Sequence, residues 1–151
     1  MVHYIAIRAL PDGLFWTLTI VFSVWIADTG AYLFGRRIGR TPLMRDVSPK
    51  KTWEGYLAGI VTAVAFGALL PLLWQALGAS DDVTPVRGMI IALLVSVISP
   101  LGDLSISMLK RWVAAKDTSN LSPGYGGFFD RLDSRIVAAL LGYYYLTLFV
   151  F

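Results

Sequence analysis

Residues 56–77 read YLAGIVTAVAFGALLPLLWQAL, without one charged side chain. A helix needs about 20 apolar residues to cross a hydrocarbon core about 30 Å thick, and this run meets that length. Three further apolar runs surround it: residues 14–34 (LFWTLTIVFSVWIADTGAYLF), 88–109 (GMIIALLVSVISPLGDLSISML) and 136–151 (IVAALLGYYYLTLFVF). Asp28 and Asp103 are the only charges inside them. The last run reaches a spanning length when it is extended back to Leu132. The pattern predicts an all-α, polytopic transmembrane helix bundle of about four spans, at 14–34, 56–77, 88–109 and 132–151. Residues 1–151 then form a single membrane domain with loops at 35–55 and 110–131.

Composition points the same way. Of 151 residues, 56% are hydrophobic and 15% charged, with a mean hydropathy of +0.65; soluble domains have about 45–50% and about 25%. So few charges cannot cover a soluble surface, and so much apolar content excludes disorder. The absence of cysteine excludes disulfides, thiolate zinc sites and thiol nucleophiles. His3 is the single histidine, expected at a frayed terminus, which argues against a histidine metal site or a Ser-His-Asp triad. The first run is too long for a secretory signal and lacks the basic flank and cleavage site, so it reads as part of the mature protein. A net charge of +3 gives no reason to invoke nucleic acid.

The bases are not spread evenly. Arg36, Arg37, Arg40, Arg45, Lys50 and Lys51 lie between the first two runs, and Lys110, Arg111, Lys116, Arg131 and Arg135 between the last two; only Arg8 and Arg87 fall elsewhere. If all four runs cross, the two basic loops share a side, and the positive-inside rule makes it cytoplasmic. Basic loops commonly do no more than set topology and touch anionic headgroups. Here other residues accompany them.

Ionisable groups within spans are costly and usually line a cavity or meet a partner. Asp28 could simply cap or snorkel near an interface. Asp103 is harder to dismiss, because Ser99, Pro100, Gly102, Ser105 and Ser107 surround it, and proline-broken helix is tolerated where it lines protein or water. The following loop carries Lys110, Arg111, Lys116 and Asp117, then Pro123-Gly124-Tyr125-Gly126-Gly127, then Asp130, Arg131 and Asp133. Glycines let backbone amides approach a ligand, bases match phosphate oxygens, and carboxylates suit Mg²⁺ shared with substrate phosphates. This is the chemistry of a metal–nucleotide or metal–pyrophosphate pocket at the cytoplasmic face, without a Walker loop. In the first loop, Ser48 or Thr52 is placed to cap the next helix with Glu54 in its first turn, and Lys51 is placed to reach a phosphate.

Ser107-x-Leu109-Lys110-Arg111-x4-Lys116-Asp117-x-Ser119 followed by Pro123-Gly124-x-Gly126-Gly127-x-x-Asp130-Arg131-Leu132-Asp133 resembles the signature of the phosphatidate cytidylyltransferases, the CDP-diacylglycerol synthases. Asp28-Thr29-Gly30-Ala31-Tyr32 with Gly35 and Gly39, and Ser48-Pro49-x-Lys51-Thr52-Trp53-Glu54-Gly55, agree with it. The resemblance runs from about residue 14 to 151. It implies a multi-pass enzyme of the bacterial inner membrane that joins CTP and phosphatidate into CDP-diacylglycerol and pyrophosphate with Mg²⁺. It implies Asp103 and Asp130 as metal ligands and, with Lys116 and Arg131, as the catalytic set. Ser48, Lys51, Ser107, Lys110, Arg111, Asp117, Gly126, Gly127 and Asp133 would bind substrate, with Asp28 a further candidate near the metal.

The sequence departs from the family pattern at Tyr125, where histidine is usual, at Ser122, where an apolar residue is usual, and at Ile106, where common bacterial members carry Glu. Family members also carry several more helices before this region, so the chain resembles their C-terminal catalytic half. That length predicts a homo-oligomer, or completion by the missing N-terminal helices. Two other readings follow from these departures and from the intramembrane acids. One is a relative that binds nucleotide or lipid phosphate without turnover. The other is a small transporter or channel subunit, which the crowding of polar residues at one face disfavours.

Overall fold

A computed structural model describes residues 2–44, 48–112 and 133–151; at 48–50, 99, 101, 103–107, 109–112 and 133–134 the description is of the backbone. The chain is mostly helical, in the order α1 (Val2–Arg8), α2 (Gly13–Ile38), β1 (Pro42–Met44), β2 (Ser48–Thr52), α3 (Trp53–Ala76), α4 (Pro85–Trp112) and α5 (Asp133–Phe149). The apolar runs at 14–34, 56–77, 88–109 and 132–151 each lie almost wholly within one of the four long helices. Two of these, α2 and α3, are long and apolar enough to cross a membrane; the apolar stretches described in α4 and α5 are shorter, Pro85–Ile98 and Arg135–Phe149.

Local chemistry sets the helix ends. Thr84 accepts a hydrogen bond from the Arg87 amide at 3.3 Å, and Pro85 fills the first helical position, where its missing N–H costs nothing. Thr52 caps α3 by accepting from the Gly55 amide at 3.2 Å. Hydroxyls within the apolar helices are satisfied inside their own helix. Thr17 donates to the Gly13 carbonyl at 2.6 Å, Ser23 to Thr19 at 2.7 Å and Thr62 to Ala58 at 2.9 Å. These serine and threonine hydroxyls therefore need no water.

α3 is built inside out relative to a soluble helix. Its buried residues are Gly55, Gly59, Ala63, Gly67, Pro71 and Trp74, most of them small and recurring every fourth position, which puts them on one face. Leu57, Val61, Phe66, Leu69, Leu72 and Leu73 are exposed. Small residues at helix contacts and large apolar ones outside is the arrangement of helices packed within lipid. Helix backbones meet along the small stripe: a Cβ on Gly59 would lie 2.7 Å from the Ala27 carbonyl oxygen of α2, and one on Gly67 2.7 Å from the Gly88 carbonyl oxygen of α4.

The pairings Gly35–Gly55, Gly30–Thr62 and Gly67–Gly88 run α3 antiparallel to both neighbours, and Gly142 of α5 meets Ile20 of α2. At the end where α2 starts, Ile7, Trp16, Ile20, Trp74, Val83, Ile91 and Leu146 belong to one apolar cluster. Within it the Trp74 indole donates to Thr19 at 2.9 Å. The loop beyond α3 is tied in by Asp12, whose carboxylate accepts from the Ser80 hydroxyl, and by the Arg87–Asp82 ion pair at 2.8 Å.

Two expectations are corrected, the absence of strands and the fraying of His3. The bundle is not purely α: β1 and β2 form an antiparallel hairpin with Pro42 opposite Thr52 and Met44 opposite Ser48. Helix runs on past the apolar runs, α2 to Ile38 and α4 to Trp112, because a turn rich in Arg or Lys continues a helix as readily as an apolar one. His3 is not frayed. It lies on α1 and packs edge-on against Tyr143 of α5, with ring centroids 5.5 Å apart.

Candidate functional site

The up-and-down course brings ends of the long helices together. The C-terminal part of α2, the hairpin and the first turns of α3 lie at the end opposite the Trp16–Trp74 cluster, and the C-terminal part of α4 runs toward it past Tyr56; α5 starts beside Trp25, halfway along α2. Arg36, Arg37, Arg40 and Lys51 and the positions of Lys110 and Arg111 belong to these segments.

The hairpin is fastened to α3 from two sides. The Trp53 amide donates to the Thr41 carbonyl at 3.0 Å. In return the Glu54 carboxylate accepts from the amides of Arg40 and Thr41, each at 3.2 Å. Glu54 precedes the apolar run. Its own backbone amide above all, with the Thr41 and Arg40 donors adding to it, holds its carboxyl down to about 2 from an ordinary 4.5 against a smaller opposing effect of burial. A fixed negative charge thus sits where the chain enters the hairpin, at Arg40 and Thr41, and Lys51 lies on the second strand. The expected cap is Thr52; Ser48 lies in β2, four residues earlier. Lys51 is half-buried on the same strand. Arg36 donates to the Tyr32 hydroxyl at 3.4 Å, one turn back on α2.

Asp103, Ser107, Lys110 and Arg111 all fall on the last turns of α4. Their spacing, i, i+4, i+7 and i+8, puts the four positions on one stripe of that helix. Asp133 is the first residue of α5. Asp28 is an exposed residue of α2, while its neighbours Ala27 and Gly30 are buried against α3. Lys116, Asp117, Ser122, Tyr125, Gly126, Gly127, Asp130 and Arg131 lie outside the described residues. Among the described residues no three His, Asp or Glu side chains gather as a metal site.

Two contacts at this end escaped the sequence reading. Tyr56 of α3 donates its hydroxyl to the Val97 carbonyl of α4 at 2.8 Å, three residues before Pro100. A tyrosine one turn past a helix cap carries no sequence signal for such a bond. Arg135 of α5 lies over the Trp25 ring of α2, 5.8 Å from its centroid, a cation–π contact that joins first and last long helices.

The model of the cytidylyltransferase family matches residues 1–149, and the chain belongs to that family. It is 41% identical over 138 residues to a phosphatidate cytidylyltransferase of Synechocystis sp., covering 91% of this chain and 45% of that protein. A phosphatidate cytidylyltransferase of Brucella suis is 41% identical over 140 residues, covering 92% and 49%, and one of Bacillus subtilis 36% identical over 148 residues, covering 97% and 53%. The chain spans about half the length of the curated relatives it matches.

Proposed function

We propose that this chain carries the catalytic part of a CTP:phosphatidate cytidylyltransferase. It would transfer the cytidylyl group from CTP to phosphatidate, giving CDP-diacylglycerol and pyrophosphate for phospholipid synthesis. The observation that carries this reading is the match of residues 1–149 to the cytidylyltransferase family, with the whole signature from Ser107 to Asp133 inside it. A phosphate oxygen of phosphatidate attacks the α-phosphorus of CTP; a new P–O bond forms, the α–β bridging bond breaks, and pyrophosphate leaves. No covalent enzyme intermediate is needed, so catalysis is positioning and charge neutralisation.

Asp103 and Asp130 offer hard carboxylate oxygens, a donor set that fits Mg²⁺; when bound, the ion neutralises triphosphate charge. Lys116 and Arg131 steady the reacting phosphates. Lys110, Arg111, Lys51 and Ser48 hold substrate oxygens from two sides, with Ser107, Asp117 and Asp133 beside them and the Gly126-Gly127 amides closing on phosphate. We read all four long helices as spans of the bacterial inner membrane, with this end forming a polar pocket at the cytoplasmic face. CTP then arrives from water and phosphatidate from the leaflet. Large apolar side chains outside α3 support lipid contact, and the concentration of bases at one end supports the orientation. The relatives' greater length supports an assembly of copies, or with further helices, around the bundle.

Purified protein with Mg²⁺, CTP and phosphatidate is expected to form CDP-diacylglycerol. Asp103→Asn and Asp130→Asn should each lower kcat by about a hundredfold or more. No product from wild-type protein, with CTP binding unchanged in Asp130→Asn, sinks the proposal. Tyr125 and Ile106 favour the second reading, a family member that binds nucleotide or lipid phosphate without turnover. CTP binding that Asp130→Asn weakens, with no product, identifies that reading.

A further inference from the structure

Resting on that reading of the site, we infer that the Tyr56 hydroxyl is a positioning residue that fixes the Asp103 half of α4 against the basic hairpin through the Val97 carbonyl. Pro100 has no N–H, so the Ser96 carbonyl loses the donor that a regular helix supplies, and the pyrrolidine ring crowds that turn. α4 is therefore weakest between Ser96 and Pro100, just before the stripe Asp103, Ser107, Lys110 and Arg111. A helix bends readily at such a break, so a bond to a neighbouring helix beside it fixes how the two halves sit. Tyr56 supplies that bond one residue past Ser96. Its hydroxyl reaches the Val97 carbonyl at 2.8 Å, and this is a bond between helices 41 residues apart in sequence.

The other end of the lever is equally constrained. Tyr56 stands four residues after Thr52, whose side chain caps α3, and two after Glu54, whose carboxylate grips Arg40 and Thr41. Its ring packs edge-on against Trp53, with centroids 5.9 Å apart. A single phenol thus joins a turn of helix fixed to the Ser48–Lys51 strand to the proline turn that carries Asp103. The small stripe of α3 packs α3 against α2 at Gly55 and Gly59, and against α4 at Gly67. The Tyr56 bond lies toward the opposite end of α3 from Gly67, and so holds the site end of α4.

Tyr56→Phe removes only the oxygen. In a chain without native cysteine, spin labels at Val61→Cys and Met108→Cys, both exposed, report the distance between α3 and the far half of α4. We expect Tyr56→Phe to broaden or shift that distance distribution. We also expect it to raise the Mg²⁺ concentration for half-maximal turnover about three- to tenfold, the scale of one inter-helix hydrogen bond, with KM for phosphatidate within about twofold. Pro100→Ala restores the helix donor, so in that background Tyr56→Phe should change the distance little. An unchanged distribution in Tyr56→Phe, or an equal change with and without Pro100, overturns the inference. A shifted distribution in a protein whose wild type makes no CDP-diacylglycerol leaves the positioning role standing and overturns the enzymatic reading alone.

Discussion

Glu54 shows how much of this site depends on one carboxylate. Its folded pKa, about 2 against an ordinary 4.5, is a depressed acid. The stabilisation it gives the hairpin is therefore complete above about 4.5 and lost as pH falls through about 2. Amide exchange at Arg40 and Thr41, normalised to intrinsic rates, should stay protected down to the upper value and lose protection below it. Glu54→Ala should remove most of that protection at every pH, and unchanged exchange in the variant would refute the grip. Thr19 makes a different point. It accepts from the buried Trp74 indole at 2.9 Å and donates to the Phe15 carbonyl at 2.8 Å. Thr19→Val keeps the shape and orphans a buried N–H, a change expected to cost about 1–3 kcal/mol in a reversible unfolding measurement in detergent. The sequence made Thr52 and Glu54 legible as a helix start, because cap chemistry is local. It did not reveal that Glu54 reaches thirteen and fourteen residues back, because that contact exists only once the hairpin has formed.

Among the elements, α3 decides the packing. Its uncharged run is readable at once as a span, but the run's apolarity hides which face is inside. The answer lies in side-chain size: Gly55, Gly59, Ala63 and Gly67 recur every fourth residue and are buried, and large residues such as Leu57, Val61 and Leu69 are left exposed. Gly88→Ala tests this from α4. A Cβ there would press on the Gly67 carbonyl oxygen and lie 2.6 Å from a Pro71 ring carbon. With backbone on one side and a rigid ring on the other, the helices must separate, at about 1–3 kcal/mol. Unfolding of Gly88→Ala in detergent at the wild-type midpoint would contradict close packing of α3 on α4. The hairpin between α2 and α3 was not legible, since Thr41–Thr52 mixes two prolines with bases and shows no alternating apolar pattern. α1 was missed for a related reason: seven residues are too few for a periodic signal, and its helix depends on packing against α2 and α5.

For the whole molecule, the alternation of four apolar runs with polar loops foretold the order of the long helices along the chain. The antiparallel pairings at Gly35–Gly55 and Gly67–Gly88 follow from the same alternation. Helix continues past the apolar limit of α4 to Lys110 and Arg111. The positioning bond from Tyr56 was invisible in the sequence, as it joins helices that only the assembled bundle brings together. The orientation has its own test. Single cysteines at Thr41 and Ser80 in inner-membrane vesicles of known sidedness should react with an impermeant maleimide from opposite faces, Thr41 from the cytoplasmic one; reaction from the same face would rule out the alternating arrangement.

The central claim is that this bundle end transfers a cytidylyl group. Protein in phosphatidate-containing bilayers with Mg²⁺ can be given CTP carrying ³²P at either the α or the γ phosphorus, and the lipid and aqueous phases then separated. Attack on the α-phosphorus predicts that the α label enters the lipid and the γ label leaves in pyrophosphate, one for one, and that both transfers vanish in Asp103→Asn. Label from the γ position in the lipid, or no α label there at all, would contradict it.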